Sequence, residues 1–348
     1  MTALGLHAVG CDVDVIAAIG GHARCHATGG LWRFAAKVGT AELARETERT
    51  MQRERYDIVC PTTEPLQHRL WSRRSEWPGL VLPTVDAVPP VHFADKRQMS
   101  YLARDAGVAI PDQVDRARES DIDEAIRRLG LPIVIKGAVG RGGRTTFIAA
   151  SSAQARDAIR RVERRGTERF AQRYVPGPTF LVGGVFHEGL PLRLYAGEKR
   201  LQLPPRTGPA AVLISRDDPA LVQSATRVFR AARLSGLASA DFVRDPAGQF
   251  HFLELNPRPW GSIAAARDAG VDLFTPLIQL WQGIVPPADL RFRTGVRTAV
   301  FPLAALSRAA WASGDAWRSI AGVSSAALAH PALTWHLARR AVRVARNW

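Results

Sequence analysis

Eight residues, Gln249-Phe-His-Phe-Leu-Glu-Leu-Asn256, read as a strand, and strict alternation would send Phe250, Phe252, Glu254 and Asn256 to one face. Strand rise sets Glu254 and Asn256 about 7 Å apart, close enough for their oxygens to converge on one or two hard cations. Upstream, Asp241 lies in a second strand-like run, Ala238-Ser-Ala-Asp-Phe-Val243, and Asp245-Pro-Ala-Gly248 between the runs is a turn signal. A hairpin would bring a third oxygen ligand beside the other two. Taken singly, each acid reads as part of a solvated strand face; their joint spacing favours a metal site.

Lysine usage points the same way. Of 47 basic residues only Lys37, Lys96, Lys136 and Lys199 are lysines, so a chain that prefers arginine keeps lysine at special places. Lys96 stands in Asp95-Lys-Arg97 and Lys136 ends Pro132-Ile-Val-Ile-Lys136, two positions where a compact ammonium on a flexible stem suits a phosphate. The glycine-rich run Gly137-Ala-Val-Gly-Arg-Gly-Gly143 follows at once, and missing side chains there let backbone N–H groups approach an anion. It fits neither the P-loop spacing nor the dinucleotide fingerprint.

In this order, Asp241, a hairpin and Glu254-Leu-Asn-Pro-Arg258, followed by Trp260-Gly-Ser262, resemble the metal signature of the ATP-grasp superfamily, specifically its carboxylate-amine ligase and carbamoyl-phosphate-synthase-like members. The resemblance runs through residues 90 to 285 and implies ATP and Mg²⁺, with Mn²⁺ as an alternative ion. It implies Asp241, Glu254 and Asn256 as metal ligands, and Lys96, Lys136 and the loop glycines Gly140, Gly142 and Gly143 around the phosphates. Gln172-Arg-Tyr-Val-Pro-Gly177 resembles the hinge at which Gln172, Arg173, Tyr174 and Val175 meet the adenine; an acid usual there is replaced by Arg173, and the ribose contact is unassigned. Arg258, directly after the metal ligands, and Arg200, with Arg206 behind it, are the implied contacts to carboxylate or reacting phosphoryl. Arg258 and Trp260 together suit an anionic substrate with an apolar part.

The elements that must position these groups follow from periodicity. Residues 1 to 93 alternate helix-like stretches with short β-branched runs, Asp12-Val-Asp-Val-Ile16 and Asp57-Ile-Val-Cys60, each expected as a buried parallel strand. Glu64 follows the second run, at a strand end where α/β sheets place ligands. Helices are expected from Asp95 to Gly107, Ser120 to Leu129, Ala153 to Arg165 and Pro219 to Leu234, and strands at 132–136, 145–149, 169–175, 180–185, 192–196, 237–243 and 250–256. The expected class is α/β (α+β): residues 94–175 and 176–288 form the two lobes of an ATP-grasp fold, and 1–93 a truncated Rossmann-like domain whose first strand is missing relative to the family. Residues 289–348 form a helical basic tail.

Composition bounds the alternatives. Hydrophobic residues at 46% and charged residues at 23% are ordinary globular values. Cys11, Cys25 and Cys60 show no paired spacing, which argues against a disulfide framework or zinc and fits a reducing cytoplasm. About half of the net charge of +15 falls after residue 290. There Leu333, Leu337, Ala341, Val344 and Trp348 share one arc and Arg339, Arg343 and Arg346 the other, an amphipathic helix whose first expected role is docking on the protein. Peripheral membrane contact through 331–348 is the second reading and nucleic acid, not expected as a partner, the third; homo-oligomer assembly is open. The expected activity is an ATP-dependent carboxylate-amine ligase that turns a small-molecule carboxylate into an acyl phosphate for attack by an amine. Its rivals are a non-catalytic nucleotide-binding protein on the same fold, a scaffold acting through the tail, and transfer to an acceptor other than a carboxylate.

Overall fold

The computed structural model describes residues 14–18, 22–26, 32–35, 48, 49, 52, 59–61, 64–76, 93–140 and 143–321. Strands β1 (Asp14–Ala18), β2 (His22–His26) and β3 (Trp32–Ala35) form an antiparallel meander. The run ending at Ile16 therefore enters an antiparallel strand, not the parallel one expected. β-branched composition marks a strand without giving its direction, and Gly20-Gly21 between β1 and β2 is a hairpin signal that does. Asp57 and Ile58 lie outside the described residues, and Val59 and Cys60 carry no regular structure. Glu64 opens helix α1 (Glu64–Ser72) instead of closing a strand.

Helix α2 (Lys96–Asp105) starts where the Asp95 carboxylate accepts a hydrogen bond from the Arg97 amide at 2.8 Å. Strands β4 (Gln113–Val114), β5 (Ile133–Gly137), β6 (Thr146–Ala149) and β7 (Arg169–Arg173) make a four-stranded antiparallel sheet in the order β4-β7-β5-β6. Helices α3 (Ile122–Leu129) and α4 (Ser152–Glu163) cover one face, burying Ile122, Leu129, Ile133, Ile135, Ile159 and Ala171. Alternation then leaves Val134, Lys136, Phe170 and Gln172 on the other face, since Lys136 pairs with Phe170 and Val134 with Gln172.

The larger sheet has six antiparallel strands: β8 (Thr179–His187), β9 (Leu190–Gln202), β10 (Ala210–Ser215), β11 (Gly236–Arg244), β12 (Phe250–Asn256) and β13 (Arg297–Ala299), in the order β12-β11-β8-β9-β10-β13. On one face α2 and α5 (Pro219–Ala232) pack Met99, Val228 and Phe229 against Phe180, Val182, Phe242 and Phe252. Each fully buried Phe contributes about 1.5–3 kcal/mol to this core. On the other, α6 (Ala264–Asp268) and α7 (Phe274–Trp281) join Leu181, Val185, Tyr195, Leu237 and Trp260. Expected strands and helices over 94–256 appear in their places; β4, β10 and β13 are not among the strands expected from the sequence.

One irregularity in this sheet decides the site. Phe242 pairs with Phe252 but Asp241 pairs with Glu254, so Leu253 is an extra residue in β12, a β-bulge. Strict alternation would have set Glu254 and Asn256 on the Phe250 and Phe252 face, inside the apolar core. The bulge inverts the parity: Leu255 stays with the two phenylalanines, and Glu254 and Asn256 share the opposite face with their partners Asp241 and Ser239.

Helix α8 (Arg308–Ala312) and a helical stretch over 315–321 end the described chain, and the amphipathic segment expected at 331–348 lies outside it. Among the described residues no helix is long and apolar enough to cross a membrane. A Cβ added at Gly183 would sit 2.8 Å from the Trp260 ring. Gly183→Ala should therefore lower stability in urea unfolding by about 1–3 kcal/mol, and Trp260→Leu in the same chain should relieve part of that loss.

Candidate functional site

The inverted parity of β12 puts two carboxylates side by side on adjacent strands, and charge of the opposite sign must meet them there. Lys96, at the start of α2, places Nζ 3.0 Å from Glu254 Oε2. Lys199, on β9, places Nζ 2.5 Å from Asp241 Oδ2. The Lys199 side chain is 6% exposed and that of Asp241 14%, so this pair is largely withdrawn from water. Lys136, buried at the end of β5, feels both acids and Lys96 electrostatically. Three ammonium groups thus face two carboxylates, a surplus of positive charge suited to an anion with a divalent cation.

Titration follows from this arrangement. Burial pushes the Asp241 carboxyl above the ordinary carboxylate range, Lys199 opposes the rise, and the neighbouring charge of Glu254 adds to it. At Glu254 burial also works upward, but the charges of Lys96, Lys199 and Lys136 win and hold it down to about 2. Burial, with the charge of Lys96 adding, brings Lys136 down to about 8.

Asp241 Oδ1 is buried and accepts no hydrogen bond. A bare carboxylate oxygen beside a second carboxylate is a donor set that fits a hard divalent cation. Asn256 takes a different part from the one expected: its amide nitrogen faces Glu254 Oε1 at 3.4 Å, and its oxygen accepts from Arg258 Nη2 at 3.0 Å. In this orientation its first job is to join Arg258 to the acidic pair. Arg258 is held further by the Pro259 carbonyl at 3.2 Å, and buried Gln67 of α1 donates to the Pro257 carbonyl at 2.9 Å, tying α1 to the same turn.

The glycine loop begins where the Lys96 amide donates to the Ala138 carbonyl at 2.9 Å. Gly143 has φ +72°, and a Cβ there would lie 2.4 Å from the Thr207 carbonyl oxygen, so the loop meets the segment after β9 through bare backbone. At Gly140 a Cβ would strike the Thr145 side chain at 2.2 Å. Gly142 lies outside the described residues. At the hinge, buried Gln172 is on the Lys136 face and donates to Gln113 Oε1 at 3.1 Å. The Arg173 amide is already committed to the Asp112 carbonyl at 2.8 Å and its side chain pairs with Asp112 at 3.0 Å, so a base edge would have to be met by other backbone groups of Arg173, Tyr174 and Val175.

Arg200 is not brought to this face. Lys199 pairs with Thr179 and Arg200 follows it, so Arg200 points to the opposite side of β9, where it meets Glu198 at 2.6 Å. Arg206, exposed at φ +67°, lies in the loop that abuts Gly143. The group that sequence reasoning missed is Lys199, and the signal that could have found it was the same scarcity of lysine that singled out Lys96 and Lys136.

A family model described as "Carbamoyl-phosphate synthase L chain, ATP binding domain" matches residues 95–179, about a quarter of the chain. Pyruvate carboxylase of Schizosaccharomyces pombe is 24% identical over 214 residues, 56% of this chain and 18% of that protein. The biotin carboxylase–beta-gamma-ATP complex from Campylobacter jejuni superposes with a TM-score of 0.63 at 16% identity, covering 75% of this chain and 63% of that one. L-amino acid ligase from Bacillus licheniformis gives 0.53 at 18% identity, covering 68% and 58%. The chain spans less than two-thirds of the length of each. All of these matches point to the ATP-grasp superfamily.

Because Glu254 ionises at about 2 in the folded chain against an ordinary 4.5, its contribution to stability is present above the unfolded value and lost as pH falls through the folded one. Lys96→Met removes a main cause of that depression. The fall of the urea midpoint between about pH 7 and 2 should then be smaller than in the natural chain and be complete at higher pH.

Proposed function

We propose, on the premise of an ATP-grasp fold, that this chain activates a small-molecule carboxylate with ATP and passes it to an amine or similar nucleophile, releasing ADP and phosphate. The observation that carries the reading is the half-buried pair Asp241 and Glu254, with the buried, unbonded Oδ1 of Asp241, ringed by Lys96, Lys136 and Lys199. In this reading 94–175 and 176–288 are the two lobes, 1–93 precedes them and 289–348 follows.

Asp241 and Glu254 would hold Mg²⁺, with the Asn256 oxygen available if it turns from Arg258. The ion's chemistry is to neutralise charge on the transferring phosphoryl group. Lys96 and Lys136 would orient the phosphates as point charges, with the backbone amides of Gly140 and Gly143 as further contacts and Gly142, outside the described residues, expected to join them. Gln172, Arg173, Tyr174 and Val175 frame the base. Arg258, held by Asn256 and Pro259, would be the guanidinium that meets the substrate carboxylate, and positioning of this kind is most of what phosphoryl transfer asks of a protein. The printed names of the similar proteins, carboxylases and an amino acid ligase, support carboxylate chemistry in general; the acid and the nucleophile are to be found by assay.

The deciding assay is Mg²⁺-dependent ADP release by purified protein against a panel of amino acids and small carboxylates, each with and without an amine. Turnover should require a carboxylate, and Glu254→Ala should lower kcat/KM by about 100-fold or more. Absence of both turnover and MgATP binding in folded protein would sink the reading; binding without turnover across the panel would favour the nucleotide-binding rival. A second outcome follows from Lys136. Its folded pKa of about 8 means that it is largely neutral at pH 9 without nucleotide, so phosphate contact there must draw in a proton. Calorimetry of ADP binding at about pH 9 in buffers of different ionisation enthalpy should show proton uptake, absent in Lys136→Met.

A further inference from the structure

Lys199 is a buried charge that the nucleotide reading leaves without a task. It reaches Asp241 across an intervening strand: Lys199 on β9 pairs with Thr179 on β8, and β8 in turn pairs with β11, which carries Asp241. Its ammonium takes Asp241 Oδ2 at 2.5 Å and leaves Oδ1 bare. Lys96 does the same at Glu254, at 3.0 Å, but also stands where phosphate contact accounts for it.

We propose that Lys199 stands in for the divalent cation: it neutralises Asp241 in the nucleotide-free chain and must release it for the cation to bind, so that metal enters with nucleotide phosphates and not alone. This rests on the reading of Asp241 and Glu254 as the metal pair. Two carboxylates facing three ammonium groups present a net positive site, which repels a lone divalent cation. Nucleotide phosphates supply new partners for the lysines, and each lysine that moves to a phosphate frees a carboxylate. Residue type fits the exchange. Lysine makes one compact, rotatable contact, whereas an arginine fork would hold both Asp241 oxygens and leave none for an ion. In a chain with 47 basic residues of which four are lysines, that a lysine occupies this position is itself informative.

The test measures Mn²⁺ binding to nucleotide-free protein from the electron paramagnetic resonance signal of the free ion, for the natural chain, Lys199→Met and Lys199→Arg. Lys199→Met should bind Mn²⁺ roughly tenfold or more tightly than the natural chain, because it leaves Asp241 without a counter-charge; Lys199→Arg should bind no more tightly. Equal affinity in the natural chain and Lys199→Met overturns the inference. Should Lys199→Met fail to fold by circular dichroism, the natural chain still decides: ADP must raise protein-bound Mn²⁺ roughly tenfold or more beyond what Mn²⁺–ADP association in solution supplies, and a smaller rise overturns it. MgADP calorimetry on the natural chain separates the two failures. Binding there with no effect at Lys199 sinks this inference alone, and no binding sinks the ATP reading with it.

Discussion

Two half-buried carboxylates set side by side cannot both ionise without opposite charge at contact distance, and this constraint organises the molecule. A charge withdrawn from water and left unpaired is destabilising, so Asp241 and Glu254 fix where Lys199 and Lys96 must lie. Lys199 demands that β9 run beside β8 with Lys199 opposite Thr179. Lys96 demands that α2 begin at the margin of the edge strand β12, which it does by capping on Asp95 and tying its first amide to Ala138. That last bond couples the larger sheet's acids to β5, the strand that carries Lys136. Positions of the two sheets and the starting point of one helix thus follow from one electrostatic requirement.

The bulge at Leu253 answers a second demand of the same constraint. Strand β12 must bury Phe250, Phe252 and Leu255 on one face, yet present Glu254 and Asn256 on the other, and a regular strand with period two cannot satisfy this pattern. An extra residue resolves it at the cost of one unpaired position. Bulges of this kind sit where a chain must re-aim a side chain, and here the re-aimed side chains are the acids themselves.

Much of this was legible in the sequence. The hairpin signal Asp245-Pro-Ala-Gly248 and the periodicities over 94–256 announced the strands and helices, because local turn chemistry and side-chain spacing decide them. The grouping of Asp241 with Glu254 was visible from the hairpin alone. Less visible was anything set by pairing between strands distant in sequence. Alternation read along β12 put Glu254 with Phe252, since a bulge exists only relative to the partner strand. The direction of β1 escapes the sequence for a like reason, and Arg200 is the candidate there, with Lys199 unweighed, because a motif read in one dimension does not say which face of β9 looks at Asp241.

Asn256 shows how site chemistry depends on such pairings. Its amide bridges Glu254 and Arg258, so the guanidinium is oriented by the same residue that stands beside the acids. Gln67 holds the Pro257 carbonyl between them, which makes the turn after β12 a junction between α1 and the acidic pair. A carboxylate docked on Arg258 would thereby sit at a distance from the phosphate groups set by one short rigid turn. Near-attack geometry depends on such fixed separations more than on binding strength, because positioning converts encounter into reaction. On the proposed reading the Asn-Pro-Arg sequence is a spacer: proline fixes its backbone, asparagine orients its arginine, and Glu254 before it, paired with Asp241, would set where the phosphate lies.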